Sequence, residues 1–273
     1  PSYYVRTVGG LKLERVLSGV RFDAQLGRSI APALAIGNAV VVKPAEDACL
    51  SCLRIAELAL QAGFPAGALN IVSGLGEEAG AALSNHPDIN FISFTGSNEV
   101  GVLIQQAAAK HAVKCTLELG GKSPMIVFAD VDIENAVSGA HLANFYSAGE
   151  VCSNGTRVFV ERSIMPQFLE SLKVRTERIK LGDPMDPATQ MGSLISEAHL
   201  NKVMGYIEKG KAEGAEVLTG GYRVTEGVPE AGFYVAPTVF TGCTDDMTVV
   251  REEIFGPVMT VLPFDSEEEV IAR

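Results

Sequence analysis

The stretch AVVVKPAEDACLSCLRIAELALQAGFPAGALNIVSG, residues 39–74, decides the fold. AVVVKP (Ala39 to Pro44) is a short β-branched run, the composition of a buried strand. Asp47 then offers an N-cap, and ACLSCLRIAELALQAGFP keeps apolar residues at helical spacing until Gly63 and Pro65 stop it. ALNIVSG (Ala68 to Gly74) reads as the next strand. A strand, a helix and a second strand at this spacing form a crossover unit, which joins parallel strands.

The same rhythm continues outward. EEAGAALSN reads as a short helix, INFISF (Ile89 to Phe94) as a third strand and SNEVGVLIQQAAAK as a third helix. Alternation of this kind over residues 39–110 predicts an α/β fold with a parallel sheet, which binds ligands at the carboxyl ends of its strands. Further on, VKCTLELGGKSPMIVFAD holds two short strands flanking a Gly-Gly turn, and Asp132 caps a helix running to about Ser147. RVFVER reads as a strand, PQFLESLKVRTERIK as a helix, and a further helix spans about Ser196 to Gly210. A boundary near residues 118–124 divides the chain into 1–120, with 1–25 atypical, and 121–273. The ending SEEEVIAR reads as a helix beginning to form, which suggests a truncated chain.

Composition removes several classes of function. With 47% apolar and 20% charged residues over 273 positions, the chain is globular, neither disordered nor fibrous. Its 22 Lys and Arg against 33 Asp and Glu give a net charge of -11, which repels nucleic-acid phosphates and anionic lipid. Ile30 to Val42 is too short to span a bilayer and carries Pro32, Gly37 and Asn38. The N-terminus has no apolar run of signal-peptide type, and the odd number of cysteines, 5, cannot all pair within one chain. A reducing, cytoplasmic setting without nucleic-acid or membrane partners is expected.

Candidate chemistry starts with the thiols, because a thiolate is a strong nucleophile whose surroundings set its reactivity. Cys49 and Cys52 form a C-x-x-C at the start of an apolar helix, where packing explains them better than redox chemistry. Cys115 and Cys243 read as inert. Cys152 lies in SAGEVCSNGTR, small and polar residues between a helix and a strand, where backbone amides can approach a substrate closely. His86, His111, His141 and His199 are isolated along the chain, giving no support for a metal site or a Cys-His pair. Glu118, just before Gly120 and Gly121, is either exposed at a strand end or buried with a raised pKa, and the second case would make it a general base. SGLGEEAG places glycines at 74, 76 and 80, one residue off the usual dinucleotide fingerprint. FTGSNEVG ends a strand in Thr95-Gly96 and opens a helix at Ser97, whose free amides could hold a pyrophosphate or merely form a capped turn.

These fragments together resemble the NAD(P)-dependent aldehyde dehydrogenase superfamily, from about Gly27 to Arg273. The motifs are APALAIGNAVVVKPAE, GFPAGALNIV, FTGS, LELGGKSP, GEVCSNGTRVFV and EEIFGPV. The region around the nucleophile, with GDPMDPATQMG and PFDSEEEV, looks most like betaine aldehyde and trimethylaminobutyraldehyde dehydrogenases. The resemblance implies a Rossmann-like cofactor domain and a second α/β catalytic domain, with the family's two ends missing. It implies Cys152 as nucleophile and Glu118 as general base, acting on an aldehyde with NAD as cofactor. Lys43 and Glu46 would contact the ribose and Ser97 the pyrophosphate, with Gly76 and Val100 nearby. Thr95, Gly96, Leu119, Glu253 and Phe255 would lie on the nicotinamide side. The family's P-W-N-[FY]-P segment, whose Asn helps hold the oxyanion, is replaced here by LSGVRFDAQLGRSIAPALA, with no Asn before Asn38. An NAD-dependent enzyme and an impaired cofactor-binding or structural descendant both remain open, as does a homo-oligomer.

Overall fold

The computed structural model describes residues 3–8 and 20–273, with side chains from Arg28 onward. They divide into two compact units, residues 3–8 with 20–120 and residues 121–273.

The first unit runs β1 (Tyr3–Val8), α1 (Val20–Ala35), β2 (Ala39–Lys43), α2 (Leu50–Gln61), β3 (Leu69–Ile71), α3 (Ala81–Ser84), β4 (Phe91–Thr95), α4 (Asn98–Lys110) and β5 (Lys114–Glu118). Its strands form an all-parallel sheet in the order β3-β2-β1-β4-β5. β1 is central, with Tyr3 opposite Ala39 of β2 and Tyr4 opposite Phe91 of β4. Because every strand points the same way, Lys43, Ile71, Thr95 and Glu118 all end on one edge. The strand order reverses beside β1, and a crevice at such an edge is where doubly wound sheets take ligands. Separate apolar clusters hold the helices on: Ile30 and Ala33 of α1 with Val40 and Val42, and Ile104 and Ala108 of α4 with Ile92 and Phe94.

The second unit runs β6 (Pro124–Val127), α5 (Ile133–Phe145), β7 (Arg157–Glu161), α6 (Met165–Glu177), α7 (Glu197–Ala212), β8 (Glu216–Thr219), β9 (Arg223–Val224), β10 (Tyr234–Val235), β11 (Thr238–Thr241), α8 (Thr248–Arg251), β12 (Val258–Phe264) and α9 (Glu267–Ala272). Its main sheet has the order β6-β7-β12-β11-β8, parallel except for β8, and β9 with β10 makes a small antiparallel ribbon. Phe159, Phe168, Leu172, Leu200, Phe240, Met259 and Leu262 belong to one continuous core. The α/β class expected from the sequence is the class observed.

Several local expectations are corrected. Asp47 does not cap α2; it lies in a one-turn 3-10 helix, Glu46–Ala48, and α2 starts after Cys49 without a side-chain cap. The strand expected over Ala68 to Gly74 is three residues long, Leu69–Ile71. The helix expected at EEAGAALSN opens with a wide π-type turn, Gly76–Gly80, before α3. The two short strands expected on either side of Gly120-Gly121 are present as β5 and β6, and they belong to different sheets. The helix capped by Asp132 stops at Phe145, because Ser147 and Ala148 take left-handed backbone (φ 53° and 49°). The place of the replaced P-W-N segment falls partly on residues 9–19, outside the described residues.

Candidate active site

On the edge of the first sheet, Lys43 ends β2 almost fully buried, 3% exposed. Its Nζ donates to Pro44 O (2.7 Å), Gly74 O (3.0 Å) and Glu46 Oε1 (3.0 Å). An ammonium loses much solvation on burial, and three acceptors replace it. Burial pushes the Glu46 carboxyl up, but hydrogen bonds from its own amide, Lys43 and the Gly76 amide, with the Lys43 charge, hold it below its ordinary value. A Cβ at Gly76 would lie 3.6 Å from Glu46 Oε1, and one at Gly80 would lie 3.4 Å from Lys43 Cδ. The glycines therefore leave the pair open, and a half-exposed carboxylate beside an ammonium fits vicinal sugar hydroxyls.

Two strands away, Thr95 and Gly96 end β4, and the Ser97 hydroxyl caps α4 by accepting from Val100 N (3.3 Å). Gly96 N donates to Glu118 O at 3.1 Å, which ties the ends of β4 and β5 together. A Cβ at Gly96 would meet the Phe94 ring at 2.5 Å, so a larger residue there would have to displace that buried ring. Leu119 covers the first turn of α4, where a Cβ at Gly101 would be 2.6 Å from it. Glu118 is the exposed alternative of the two expected: its side chain is 40% exposed and pairs with Arg28 at 2.7 Å.

In the second unit, Cys152 is half-buried in a loop that follows α5. After Ser147 and Ala148, Gly149 also has positive φ (76°), and a Cβ there would lie 2.0 Å from Gly256 O. Buried asparagines fasten this loop. Asn154 Nδ2 donates to Gly149 O (3.0 Å), and Asn144 Nδ2 donates to Ala140 O (2.9 Å) and Gly155 O (3.1 Å). Glu253 accepts from Gly121 N at 3.3 Å, and Phe255 has positive φ (58°). Burial pushes the Lys122 ammonium down to about 8, with the Glu253 carboxylate opposing and Arg157 adding to the shift.

Some polar groups here escape a reading along the chain. Glu150 and His199 are both buried, and Glu150 Oε1 lies 2.8 Å from His199 Nε2. The same Nε2 is 2.8 Å from Phe255 O. His199 is thus isolated only along the chain. Burial pushes Cys52 up to about 11, with Cys49 adding to it, and Cys243 up to about 12, opposite to what a reactive C-x-x-C pair or nucleophile needs.

Lys43, Glu46 and Gly76 are therefore gathered at one strand end, and Thr95, Gly96, Ser97, Val100, Leu119 and Glu118 at another on the same edge. Cys152, Glu253 and Phe255 belong to the second unit. Among the described residues, no group of three His, Cys, Asp or Glu could hold a metal ion, and no helix is long and apolar enough to cross a membrane.

Comparison with known proteins places this arrangement in context. The model of the "Aldehyde dehydrogenase family" matches residues 24–273. The chain is 57% identical over 243 residues to betaine aldehyde dehydrogenase of Agrobacterium fabrum, covering 89% of this chain and 49% of that protein. It is 55% identical over 247 residues to betaine aldehyde dehydrogenase of Sinorhizobium fredii, covering 89% and 50%. Among solved structures, betaine aldehyde dehydrogenase of Staphylococcus aureus in complex with NAD+ superposes with a TM-score of 0.91 at 40% identity, covering 100% of this chain and 53% of that one. An NAD+ complex of aldehyde dehydrogenase from Bacillus cereus gives 0.89 at 46% identity, with the same coverage. The chain spans about half the length of the curated relatives it matches.

Proposed function

The chain belongs to the aldehyde dehydrogenase family, and from that premise we propose that it is the NAD-binding and nucleophile-bearing part of an enzyme that oxidises an aldehyde to a carboxylic acid. The names of the relatives favour betaine aldehyde or a related aminoaldehyde as substrate. The observation that carries the reading is the Cys152 loop: a half-buried thiol held beside left-handed backbone and fastened by buried asparagines.

In this reading the Cys152 thiolate attacks the aldehyde carbon, and its sulfur-carbon bond creates a tetrahedral alkoxide. Backbone amides near Cys152 receive the negative charge on the oxygen. NAD+, when bound, supplies the hydride acceptor. Loss of hydride from the tetrahedral carbon leaves a thioester on Cys152. Glu118 then takes a proton from water, the hydroxyl adds to the thioester carbon, and the carboxylic acid leaves as the thiolate is restored. Lys43 and Glu46 would hold the adenosine ribose, Gly76 leaving them room. Ser97, with Val100 beside it, would hold the pyrophosphate at the start of α4. Thr95, Gly96, Leu119, Glu253 and Phe255 would face the nicotinamide. The setting is a reducing cytoplasm, with a small-molecule aldehyde as partner.

A second reading, NAD binding with little turnover, is favoured by the engagement of Glu118 with Arg28 and by the lack of an Asn before Asn38. One lost oxyanion donor lowers kcat by roughly 10² to 10³. The test is NADH formation against a panel of aldehydes, with NAD+ and NADP+ affinities measured by calorimetry. We expect NAD+ to bind tighter than NADP+, because Glu46 repels a 2′-phosphate, and Glu46→Gln to narrow the gap. NAD+ binding without NADH from any aldehyde would establish the second reading; no binding of either cofactor would overturn both.

A further inference from the structure

We propose that Arg157 is a positioning residue that holds a strap, residues 121–123, against the main chain of Cys152 and so sets where the nucleophile stands. This inference rests on the reading of Cys152 given above. Arg157 is the first residue of β7, at the end of the loop that carries Cys152, and its Nε donates to Lys122 O (2.9 Å). Its amide donates to Ser123 O (3.3 Å), and its Nη1 donates to Arg273 O (3.1 Å). The guanidinium also lies 5.6 Å from the centre of the buried Phe159 ring. Two carbonyls are thus gripped by one planar group whose donors are fixed relative to each other.

The ladder between β6 and β7 begins with Pro124 opposite Arg157, so the strap lies just beyond the sheet. There the Arg157 side chain carries the hold past the end of the ladder. At the far end of the strap, a Cβ on Gly121 would lie 3.2 Å from Cys152 O, which leaves room for a hydrogen and little more. The Gly121 amide donates to Glu253 Oε1 at 3.3 Å from the same position. Residues 121–123 therefore follow the loop from Cys152 to Arg157 and touch it at both ends. A contact between two main chains has no rotamer to relieve it, so a shift of the strap becomes a shift of the Cys152 peptide. Arg157 does not touch the reacting atoms in this scheme. Its effect passes through the backbone, and displacing a nucleophile by about 1 Å can lower turnover by roughly 10²-fold.

The experiment is a double-mutant cycle of Arg157→Met and Gly121→Ala in the full chain, with Arg157→Lys beside it. The readouts are the rate of iodoacetamide alkylation at each cysteine, located by mass spectrometry, and kcat and KM for aldehyde oxidation. In Arg157→Met, Cys152 should alkylate at least about fivefold faster, because its loop is released while its thiol chemistry is retained. Buried Cys52 and Cys243 should stay protected, and kcat should fall about 10²-fold with KM for NAD+ within about twofold. Gly121→Ala alone presses a methyl group on the Cys152 carbonyl, and should lower kcat about tenfold and speed Cys152 alkylation about threefold. In the Arg157→Met background the same methyl should change either readout by less than about twofold, because a released strap can step back. Arg157→Lys keeps the charge and loses the fork, and should fall between Arg157→Met and the unsubstituted chain. Unchanged Cys152 alkylation in Arg157→Met would overturn the proposal, as would a Gly121→Ala effect of equal size in both backgrounds. So would simultaneous exposure of Cys52, Cys152 and Cys243 in both Arg157 variants, which would make the arginine a general requirement of folding. If the unsubstituted chain forms no NADH, the reading of the function fails, and the cycle read by alkylation still decides the positioning role.

Discussion

At the edge of the first sheet, the side chains proposed to serve cofactor and water sit on strands that exist for other reasons. Lys43, Thr95 and Glu118 are the last residues of β2, β4 and β5, whose apolar residues hold the sheet together without them. Around Cys152 the order of dependence is reversed. The backbone there leaves the regular helix, and Asn144 and Asn154 are buried groups that fasten it. In the first region Glu46 and Glu118 are part-exposed, so solvent can replace a partner lost by either, while buried Lys43 depends on its three acceptors. In the second, each lost partner leaves a buried polar group unsatisfied.

The largest test of that contrast removes the chemistry and leaves both scaffolds. Cys152→Ala should lower aldehyde-dependent NADH formation by roughly 10⁴-fold or more while NAD+ affinity by calorimetry stays within about threefold, since the thiol is solely a reacting group. Retained turnover would remove Cys152 from its role. Next, Glu118→Gln should slow release of the acid by about 10² to 10⁴-fold, the range for a lost general base, and let a thioester accumulate on Cys152 that intact-mass spectrometry detects. An unchanged rate with no adduct would show that another group activates water.

The third pairing tests the scaffolds themselves by thermal melting. Asn154→Ala should destabilise by about 1 to 3 kcal/mol, because it strands the Gly149 carbonyl in a buried loop. Arg28→Ala, which breaks an ion pair with both partners more than a third exposed, should change stability by less than about 1 kcal/mol after solvent screening. Equal shifts would erase the distinction between the regions. The smallest effect concerns acid. Glu46 is held below the ordinary carboxylate value, so the folded state favours its ionised form. The stability this adds is present above the unfolded carboxyl pKa of about 4.3 and is lost as pH falls through the folded value. Glu46→Gln should therefore lower the melting midpoint slightly and evenly from neutral to mildly acidic pH, with the difference from the unsubstituted chain vanishing as pH falls below about 4.3 toward the folded value.

What was legible in the sequence follows the same division. The alternation over residues 39–110 and the caps Ser97, Asp132 and Ser196 are local signals, and the structure contains the elements they mark. The central strand, Tyr3–Val8, was not legible as such: YYVRTV carries Arg6 and Thr7, and its place is set only by pairing with β2 and β4. The two short strands flanking Gly120-Gly121 were legible, and they enter different sheets on either side of the division expected near residues 118–124. Lys43 and Glu46 are three residues apart, so their pairing is local. Glu150 and His199 meet through the packing of α7 beside the loop, and neither residue type announces that meeting at its own position.

The contact between Gly149 and Gly256 also bears on how such a chain can change over generations. A methyl group at 149 would fall 2.0 Å from a backbone oxygen, which no choice of rotamer can move aside. Mutations there must arrive together with a shift of the facing segment, and single-step drift cannot deliver that. The Cys152 loop thus rests on a contact between two main chains, and a side chain added at 149 has to move the facing segment rather than itself.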